Sequence, residues 1–276
     1  MIWTVIGARG FIGNAFARAL RARGDEVVEL TSAAALEADA NLGDVIYASG
    51  VAWDANRRAG DAQRLHVDVP RALLQKHITS FMYISSTRVY GSGAQTSEAA
   101  PLSVDEADVY AASKIAGEKA MLADPRPRVK VVRLSNVYGE SFRSGLMLSD
   151  FLRQAAQTGS IVVRSARASE KDHVSIEDVV EVTRQIIVQG KERVYNIAAG
   201  RNTLQGDVLD AIAASSGSRV TVESDAVVRF APIEISRVRD EFGFQPRDVI
   251  ADIPALWEAF RAYFASLSEA GARSSA

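Results

Sequence analysis

A glycine-rich turn close to the first residue is the feature that most constrains how this chain can fold. Residues 2–6 form an apolar run, Gly7, Gly10 and Gly13 follow it, and a helical pattern begins at Phe11. A strand, a tight turn and a helix in this order indicate a phosphate site, because the free N–H groups and positive dipole end of the helix face the anion. We expect Gly7 to permit the sharp turn, Gly10 to let the backbone approach a pyrophosphate, and Gly13 to let the helix pack closely on the sheet. The spacing is G-x-x-G-x-x-G rather than the dinucleotide form G-x-G-x-x-G.

Composition excludes several classes of partner. The 276 residues include 32 basic and 34 acidic side chains, which gives no positive footprint for nucleic acid or an anionic membrane. The chain has no cysteine, so disulfides and thiolate metal sites are excluded and redox chemistry would need a borrowed cofactor. It begins directly in a strand pattern, and no apolar run approaches the length of a membrane span. We therefore expect a cytoplasmic protein that binds a small molecule, with no nucleic-acid, membrane or metal partner.

Strands that alternate with helices predict the fold class. The pattern predicts an α/β protein with a Rossmann-type doubly wound parallel sheet, covered by helices on both faces, and a small C-terminal α/β substrate-binding lobe. Predicted helices lie at 11–23, 59–77 with an interruption near Pro70, 108–122, 149–158, 177–189 and 204–215, and a short strand lies at 161–163. The predicted division is an NAD(P)-binding domain at 1–138 with returning segments near 161–195, the lobe at 139–160 and 196–265, and a flexible tail at 266–276.

The ends of the second and third predicted strands bear on the choice of dinucleotide. An acidic residue at the end of the second strand would accept a hydrogen bond from the 2′-hydroxyl of NAD, but the neutral Thr31 stands there. With Arg9 inside the glycine turn, this end would better tolerate a 2′-phosphate, so we expect NAD or NADP with a preference for NADP. Arg9 could equally be a solvated loop residue. The third strand ends in the small residues Ala48 and Ser49, which suit the close approach of a bound ring.

Two motifs further along the chain carry candidate catalytic groups. Hydroxyls at the end of the fourth strand, among them Ser86, point into the crevice where ligands of parallel sheets bind. Tyr110 and Lys114 are four residues apart on a predicted helix and therefore share one face. That helix is predicted to have Asp108 as its cap and Glu118 on its outer face. The Lys114 ammonium would favour ionisation of the Tyr110 phenol, whose reference pKa is about 10, although the same spacing also occurs in surface pairs of no function.

Taken together, these motifs resemble those of the extended short-chain dehydrogenase/reductase family, which contains NAD(P)-dependent epimerases, dehydratases and reductases that act mostly on nucleotide sugars. The resemblance covers nearly the whole chain. The segments that carry it are residues 7–13, 84–91, 110–114, 133–139, 171–179, 195–200 and 235–246. Several motifs in the same order and at fitting distances are hard to obtain by chance.

The resemblance implies roles for the catalytic residues and for part of the glycine turn. Tyr110 would be the general acid/base, and Lys114 would lower its pKa and bind the nicotinamide ribose. Ser86 would orient the reacting oxygen. Phe11 and Ile12 would give backbone N–H groups to the pyrophosphate.

Other positions are implied to contact the cofactor or the substrate. Asn136 would contact the phosphate or sugar side of the substrate. His66 stands where the family usually has asparagine at the cofactor, and is either a contact to the bound ring or a structural residue. A guanidinium suits a diphosphate, which makes Arg164 a candidate substrate contact together with Arg167 and Arg229, although each could be a solvated surface charge.

Departures from the family pattern narrow the expected reaction. Sugar 4,6-dehydratases of the family carry acidic residues just after the active-site hydroxyl, where this chain has the candidate substrate contacts Thr87 and Arg88. Relatives that epimerise at two ring carbons use a cysteine and a histidine, and this chain has no cysteine and no histidine at 140–160. What remains is hydride transfer at one hydroxyl or keto carbon of a nucleoside-diphosphate sugar, by a 4-epimerase or a 4-keto reductase.

Two alternatives stay open at the level of sequence. One is a reductase of a ketone or aldehyde that carries no nucleotide. The other is a non-catalytic NADP(H) sensor, which would typically have lost the catalytic tyrosine or lysine. The resemblance also implies a homodimer formed through the helix that carries Tyr110.

Overall fold

Apolar strands and amphipathic helices alternate along most of the molecule. The computed structural model describes residues 2–51, 54–102, 104–105 and 107–274. The strands are β1 (Ile2–Ile6), β2 (Glu26–Leu30), β3 (Asp44–Tyr47), β4 (Ser80–Ser86), β5 (Val129–Leu134), β6 (Asn136–Tyr138), β7 (Ser160–Val163), β8 (Glu170–Ser175), β9 (Val194–Ile197), β10 (Asn202–Leu204) and β11 (Arg219–Val222). The helices are α1 (Phe11–Ala22), α2 (Ser32–Glu37), α3 (Ala59–Gln63), α4 (Val69–Leu73), α5 (Val109–Leu122), α6 (Met147–Thr158), α7 (Ile176–Gln189), α8 (Gln205–Ser216), α9 (Ser236–Phe242) and α10 (Val249–Ser274). Within the described ranges, no helix combines the length and the apolar character that a membrane crossing needs.

A six-stranded parallel sheet forms the larger part of the fold, and it confirms the predicted fold class. Its strand order is β2-β1-β3-β4-β5-β9. Ile6 at the end of β1 pairs with Leu30 on one side and with Tyr47 on the other. The strand order therefore reverses at β1, because β2 lies on one side of it and β3 on the other. Parallel sheets bind their ligands in the crevice outside the carboxyl ends of the strands at such a reversal.

Both faces of the main sheet are buried, which explains why its strands are almost continuously apolar. Val5 faces a core formed with α1 and α7, and its neighbour Ile6 faces the opposite core, to which α4 and α5 contribute. Successive side chains of a strand point to opposite faces, so each strand supplies both cores. This arrangement holds the carboxyl ends of the strands in fixed positions.

A smaller part of the chain packs around a core of its own. This core contains Leu152, Ile161, Leu209 and Phe260, contributed by α6, β7, α8 and α10. β7 pairs in parallel with β11 in a separate two-stranded sheet, so the predicted returning segment near residue 161 belongs here and not to the main sheet. Conversely, β9 extends the main sheet to Ile197, past the predicted boundary at 196.

Two further sequence predictions are corrected at α5 and α10. The Asp108 carboxylate caps α5 as predicted, since it accepts a hydrogen bond of 3.1 Å from the Ala111 N–H. Glu118 is not on the outer face: it is 1 % exposed and lies 2.7 Å from Arg133 in a buried ion pair. α5 contacts β4, β5 and the helices before β4, so more of its surface is covered than its pattern indicates. α10 continues to Ser274, so the segment predicted as a flexible tail is helical as far as that residue.

The predicted interruption near Pro70 is a π-helical turn, Arg64–Asp68, between α3 and α4. Proline has no N–H, so Pro70 cannot donate to the carbonyl of His66 as an α-helix requires. The Tyr83 hydroxyl donates to that carbonyl instead, at 3.0 Å. The turn thereby fixes His66 against β4 and α5.

Candidate active site

A cavity of about 670 Å³ opens at the carboxyl edge of the main sheet, beside the smaller core. Its walls come from the first turn of α1, from the ends of β3, β4 and β5 and the loops after them, from α5, and from segments of the second half of the chain. Among the predicted site residues, those that line it are Ile12, Ala48, Ser49, Ser86, Thr87, Arg88, Tyr110, Lys114 and Asn136. Residues that are far apart in the sequence are therefore brought to one place, which is the crevice expected for this topology.

The glycine turn has the shape of a dinucleotide cradle. Gly7 has a φ of +93°, and a Cβ there would lie 2.8 Å from the Ser49 nitrogen. A Cβ on Gly13 would collide with the carbonyl of Gly7, whereas a Cβ on Gly10 would meet only that carbonyl, at 3.4 Å. The turn is thus closed on the protein side and open on the side where a pyrophosphate would approach. The first N–H groups of α1, including that of Phe11, have no partner within the helix and could bind the anion.

The residues that bear on the dinucleotide preference are both exposed. The Thr31 hydroxyl caps α2, accepting a hydrogen bond of 3.2 Å from the Ala34 N–H. Arg9 is exposed in the glycine turn. Ser32, which follows Thr31, donates to the Ser49 hydroxyl at 2.8 Å and ties the ends of β2 and β3 together. The end of β2 therefore presents a neutral hydroxyl where a carboxylate would select NAD.

Tyr110 and Ser86 face each other across the floor of the cavity. Tyr110 lies on the first turn of α5, and Ser86 is the last residue of β4, where its hydroxyl accepts from the Arg88 N–H at 3.3 Å. Burial raises the pKa of Tyr110, while the Ser86 hydroxyl and the Arg88 guanidinium act in the opposite direction. The guanidinium carbon of Arg88 lies 5.4 Å from the centre of the phenol ring. The phenol is therefore a proton donor at neutral pH whose ionised form is supported from two sides.

Lys114 is buried beneath the cavity and, unlike the expectation, is not the cation nearest to the Tyr110 phenol. Its Nζ donates to the Ile84 carbonyl at 2.8 Å and lies 6.0 Å from the centre of the Tyr110 ring, so Arg88 is the nearer cation to the phenol. Burial lowers the pKa of Lys114 to about 7, and the charge of Glu118, one helical turn further on, opposes this effect. The charge of Lys114 is consequently close to its titration point at neutral pH.

His66 does not line the cavity, and its contacts favour the structural one of its two predicted roles over a contact to the cofactor. Its ring is fully buried, its Nε2 accepts from the Val51 N–H at 3.2 Å, and its Nδ1 lies 2.8 Å from the Ser113 hydroxyl. The Val51 contact requires an unprotonated Nε2, and burial lowers the pKa of His66 to about 3. Ser113 in turn donates to the Tyr110 carbonyl at 2.9 Å. His66 thus links the loop after β3 to the first turn of α5, which is the structural one of its two predicted roles.

The remaining predicted substrate contacts divide into two groups. Asn136 lies on the wall of the cavity, and its Nδ2 donates to the Asp172 carbonyl at 2.7 Å. Arg164 is not part of the wall: its side chain is 87 % exposed and lies 3.9 Å from Glu223. Arg167 and Arg229 also lie outside the wall and pair with nearby carboxylates. The structure therefore does not bring these three arginines to the candidate site.

Many residues of the cavity wall were not among the predicted site residues, and Lys171 and Phe230 are two of them. Lys171, at the start of β8, belongs to a segment identified for its resemblance, but its ammonium was not assigned to the cavity. Phe230 lies on an extended segment without regular pattern, held where the Asn202 amide donates to its carbonyl at 2.7 Å. For Lys171 the sequence held a signal, because this residue and its neighbour Asp172 begin the segment 171–179 that resembles the family. For Phe230 the sequence held no signal.

Comparisons with known proteins agree with this architecture. Residues 3–198 match the model of the family described as NAD dependent epimerase/dehydratase family. A dTDP-glucose 4,6-dehydratase from Streptomyces griseus is 28% identical over 90% of each chain.

Solved structures resemble the chain over nearly its full length. The NAD-dependent NDP-hexosamine 5,6-dehydratase TunA, of tunicamycin biosynthesis, has a TM-score of 0.84 at 22% identity, covering 95% of this chain and 98% of its own. The UDP-glucose 4-epimerase of Thermus thermophilus, in complex with NAD, has a TM-score of 0.82 at 19% identity, covering 95% of this chain and 99% of its own. MoeE5, in complex with UDP-glucose and NAD, has the same score and coverage at 19% identity. At these identities the likeness establishes the fold.

The family match covers the glycine turn, the Ser86 strand end, the Tyr110 helix and β9, and so confirms the family resemblance seen in the motifs. The chain is therefore an enzyme of the NAD-dependent epimerase/dehydratase family, within the extended short-chain dehydrogenases/reductases.

Proposed function

We propose that this enzyme transfers a hydride at one hydroxyl or keto carbon of a nucleoside-diphosphate sugar and does not eliminate water. One observation carries the proposal: the hydroxyls of Ser86 and Tyr110 meet at the floor of the cavity, and the next two positions, Thr87 and Arg88, bear no carboxylate. The reaction is either a 4-epimerisation that returns the hydride to the sugar or the reduction of a 4-keto sugar.

The chain supplies the proton chemistry of this step. In the direction of reduction, Ser86 donates to the substrate carbonyl, and the Tyr110 phenol gives its proton to the developing alkoxide. In the direction of oxidation, the Tyr110 tyrosinate takes the proton of the substrate hydroxyl. Arg88 and Ser86 stabilise the negative charge of this tyrosinate. A bound nicotinamide would supply or accept the hydride at its C4. The glycine turn and Lys114 are the groups that would hold the dinucleotide.

The carboxylates of the cavity wall give no support for dehydration. Asp172 accepts from the Ser135 hydroxyl at 2.5 Å and from the Ala199 N–H at 2.9 Å. Asp150 is paired with Arg153 and also accepts from an amide. Elimination needs a group that removes a proton from carbon and a group that protonates the leaving oxygen. Asp150 is engaged through both oxygens, whereas Asp172 is engaged through Oδ1 alone, and its Oδ2 is buried with no partner among the described residues. Neither carboxylate therefore presents an accessible, unpaired oxygen that could act as such a base.

The nucleotide part of the substrate and the NADP preference are supported by different observations. The structurally similar protein MoeE5 was solved in complex with UDP-glucose and NAD. In this chain the cavity extends from Ser86 and Tyr110 at its floor to the exposed ring of Phe230. The neutral end of β2 and the exposed Arg9 favour NADP, and with it a reductase that consumes NADPH.

The test is to release and identify the dinucleotide of the purified enzyme by denaturation and mass spectrometry, and then to assay keto and hydroxy sugar nucleotides. Tightly held NAD with interconversion of two C4 epimers would identify an epimerase. An empty site that prefers NADPH and reduces a 4-keto sugar would identify a reductase. Release of a 4-keto-6-deoxy product from a hydroxy sugar would contradict the proposal, because that product requires loss of water.

A further inference from the structure

The cavity wall carries more positive than negative charge. Its cationic side chains are those of Arg88, Lys114 and Lys171, and its carboxylates are those of Asp150 and Asp172. Asp150 is engaged through both oxygens, and Asp172 is engaged through Oδ1 while its Oδ2 is buried without a partner among the described residues. Lys114 is turned toward the Ile84 carbonyl beneath the floor. Arg88 and Lys171 therefore remain as the cations that face the substrate space.

Arg88 is held in place by Asp108, but this contact uses few of its hydrogen-bond donors. Its Nη2 donates to Asp108 at 2.6 Å, and the same carboxylate also caps α5 through the Ala111 N–H. Within the described residues, this is the single hydrogen bond that the guanidinium makes, so most of its five N–H donors are available to a ligand. Its guanidinium carbon stands 5.4 Å from the centre of the Tyr110 ring. A group bound by Arg88 would therefore lie next to the reacting carbon.

Lys171 faces the same space from β8. Its side chain is half-buried, and it makes no hydrogen bond or ion pair with any residue that the structure describes. Burial lowers its pKa, and repulsion from Arg88 adds to that effect. Two like charges that repel each other across a cavity are stabilised by an anion between them.

We propose that the substrate carries a carboxylate on the ring carbon next to the reacting one, so that it is a nucleoside-diphosphate hexuronic acid, with Arg88 as the residue that selects it. This inference rests on the proposed hydride transfer at C4. In a hexopyranose, C5 is bonded to C4 and bears C6, so a C6 carboxylate lies beside the reacting carbon. The planar guanidinium binds a carboxylate through two parallel hydrogen bonds.

The diphosphate of the substrate is the other source of anionic oxygens. It is attached at C1, on the opposite side of the sugar ring from C4, and is therefore further from the Tyr110 ring than C6 is. If the diphosphate bound Arg88, neutral sugars, uronic acids and free nucleoside diphosphates would all depend equally on this side chain. A carboxylate contact predicts dependence for the uronic acid alone.

The experiment compares the binding of matched ligands to the enzyme in the presence of saturating dinucleotide. The ligands are glucose and glucuronic acid as UDP and dTDP conjugates, mannose and mannuronic acid as GDP conjugates, and the three free nucleoside diphosphates. We expect the uronic acid to bind more tightly than the neutral sugar on the preferred nucleotide. Arg88→Gln should weaken the uronic acid about tenfold or more, since a charge-assisted bidentate contact is lost, and leave the other ligands within about twofold. Arg88→Lys should restore part of the loss.

Arg57→Gln is the matched control. Arg57 is an exposed arginine that lines, together with Arg88, a second cavity of about 440 Å³, but it does not line the candidate site. It should bind all ligands as the parent enzyme does. Tighter binding of the neutral sugar than of the uronic acid by the parent enzyme would overturn the inference and leave the proposed function standing. Equal weakening of all ligands by Arg88→Gln would assign Arg88 to the diphosphate and also overturn it. Failure of every nucleotide sugar and nucleoside diphosphate to bind would instead contradict the proposed function.

Discussion

Tyr110 has an environment that is intermediate between a core and a surface position. Its ring lies on the first turn of α5, with the Arg88 guanidinium near one side and the buried ring of His66 at 5.8 Å in an edge-to-face contact. Such contacts hold the ring in place while the hydroxyl reaches the cavity. The residue is thereby positioned before any ligand binds, which is the arrangement that proton transfer to a bound substrate requires.

Removal of the Tyr110 hydroxyl should separate catalysis from binding. We expect Tyr110→Phe to lower kcat by about 10²- to 10⁴-fold, the usual contribution of a positioned acid/base, because the ring remains and only the proton is lost. Dinucleotide affinity, measured by fluorescence titration, should stay near that of the parent enzyme. Tyr263→Phe, which alters a tyrosine of α10 outside the cavity wall, serves as control. Undiminished kcat in Tyr110→Phe would remove the residue from the proposed mechanism.

Lys114 should give dinucleotide binding a dependence on pH. Because burial lowers its pKa to about 7, the ammonium is present below that pH and is lost as the pH rises through it. We expect affinity for the anionic dinucleotide to fall between pH 6 and pH 8, by at most about tenfold per pH unit for one proton. In Lys114→Met the affinity should be weaker and nearly constant over this range. Identical slopes for the two proteins would show that another group titrates.

At the scale of elements, the contact between α5 and the π-helical turn sets the position of the catalytic helix. Gly117, in the middle of α5, lies against the carbonyl of His66 and the hydroxyl of Tyr83, and a Cβ there would collide with both. The same carbonyl accepts from the Tyr83 hydroxyl and not from a helical N–H, because Pro70 cannot donate to it. A glycine on one helix and a proline on another thus allow the two elements to approach closely.

The contact can be tested with a pair of glycine-to-alanine substitutions. Alanine in a helix interior is favoured over glycine by about 1 kcal/mol, so the exchange stabilises a protein where space permits. Gly60 in α3 has no atom within 4 Å of its Cβ position, and Gly60→Ala should raise the melting temperature. Gly117→Ala should lower it, since overpacking against a backbone carbonyl costs about 1–3 kcal/mol and exceeds the helical gain. Equal increases for both variants would contradict the close contact.

How far an element could be predicted from sequence depended on what covers it. α7 was expected at 177–189 and is found at Ile176–Gln189, because one face is apolar and Ser175 caps it. Glu118 was misplaced because partners far away in the sequence, Arg133 and Ser85, bury it, and no local pattern reports them. β8 was not predicted, since its charged residues do not alternate with apolar ones and its strand pairing comes from β6 and β10.

The candidate site, too, could be predicted only in part from the sequence. Residues that belong to contiguous motifs, such as Ser86, Tyr110 and Lys114, do line one cavity. Arg164 was chosen for its charge alone and lies elsewhere, because a guanidinium in a sequence carries no information about its direction. The homodimer expected from the resemblance stays a prediction.

At the scale of the whole molecule, two buried neutral histidines should make the fold sensitive to acid. Burial lowers the pKa of His66 to about 3 and that of His173 to about 4. In the unfolded chain the ordinary value is about 6.5, so below this pH the unfolded state binds more protons and the free energy of unfolding falls. The loss should reach about 1.4 kcal/mol per pH unit for each histidine and continue until its folded pKa is approached.

Urea unfolding at intervals between pH 7 and pH 4.5 would measure this effect. His66→Asn should give a shallower decline than the parent protein, because one titrating ring is removed, whatever its stability at pH 7. His77→Asn is the control, because it replaces an exposed histidine, and its decline should match that of the parent protein. A parent protein whose free energy of unfolding is constant over this range would show that the two rings are charged in the fold.

Different segments of the chain contribute the reacting groups and the rest of the cavity wall. The proposed proton-transfer groups come from β4 and α5, whereas Leu146, Asn202 and Phe230 belong to the part of the cavity wall that later segments contribute. Mutations in those later segments can alter the shape offered to a substrate without moving the groups that react. A family built on this plan can acquire new substrates through one region of its sequence while it keeps its chemistry in another.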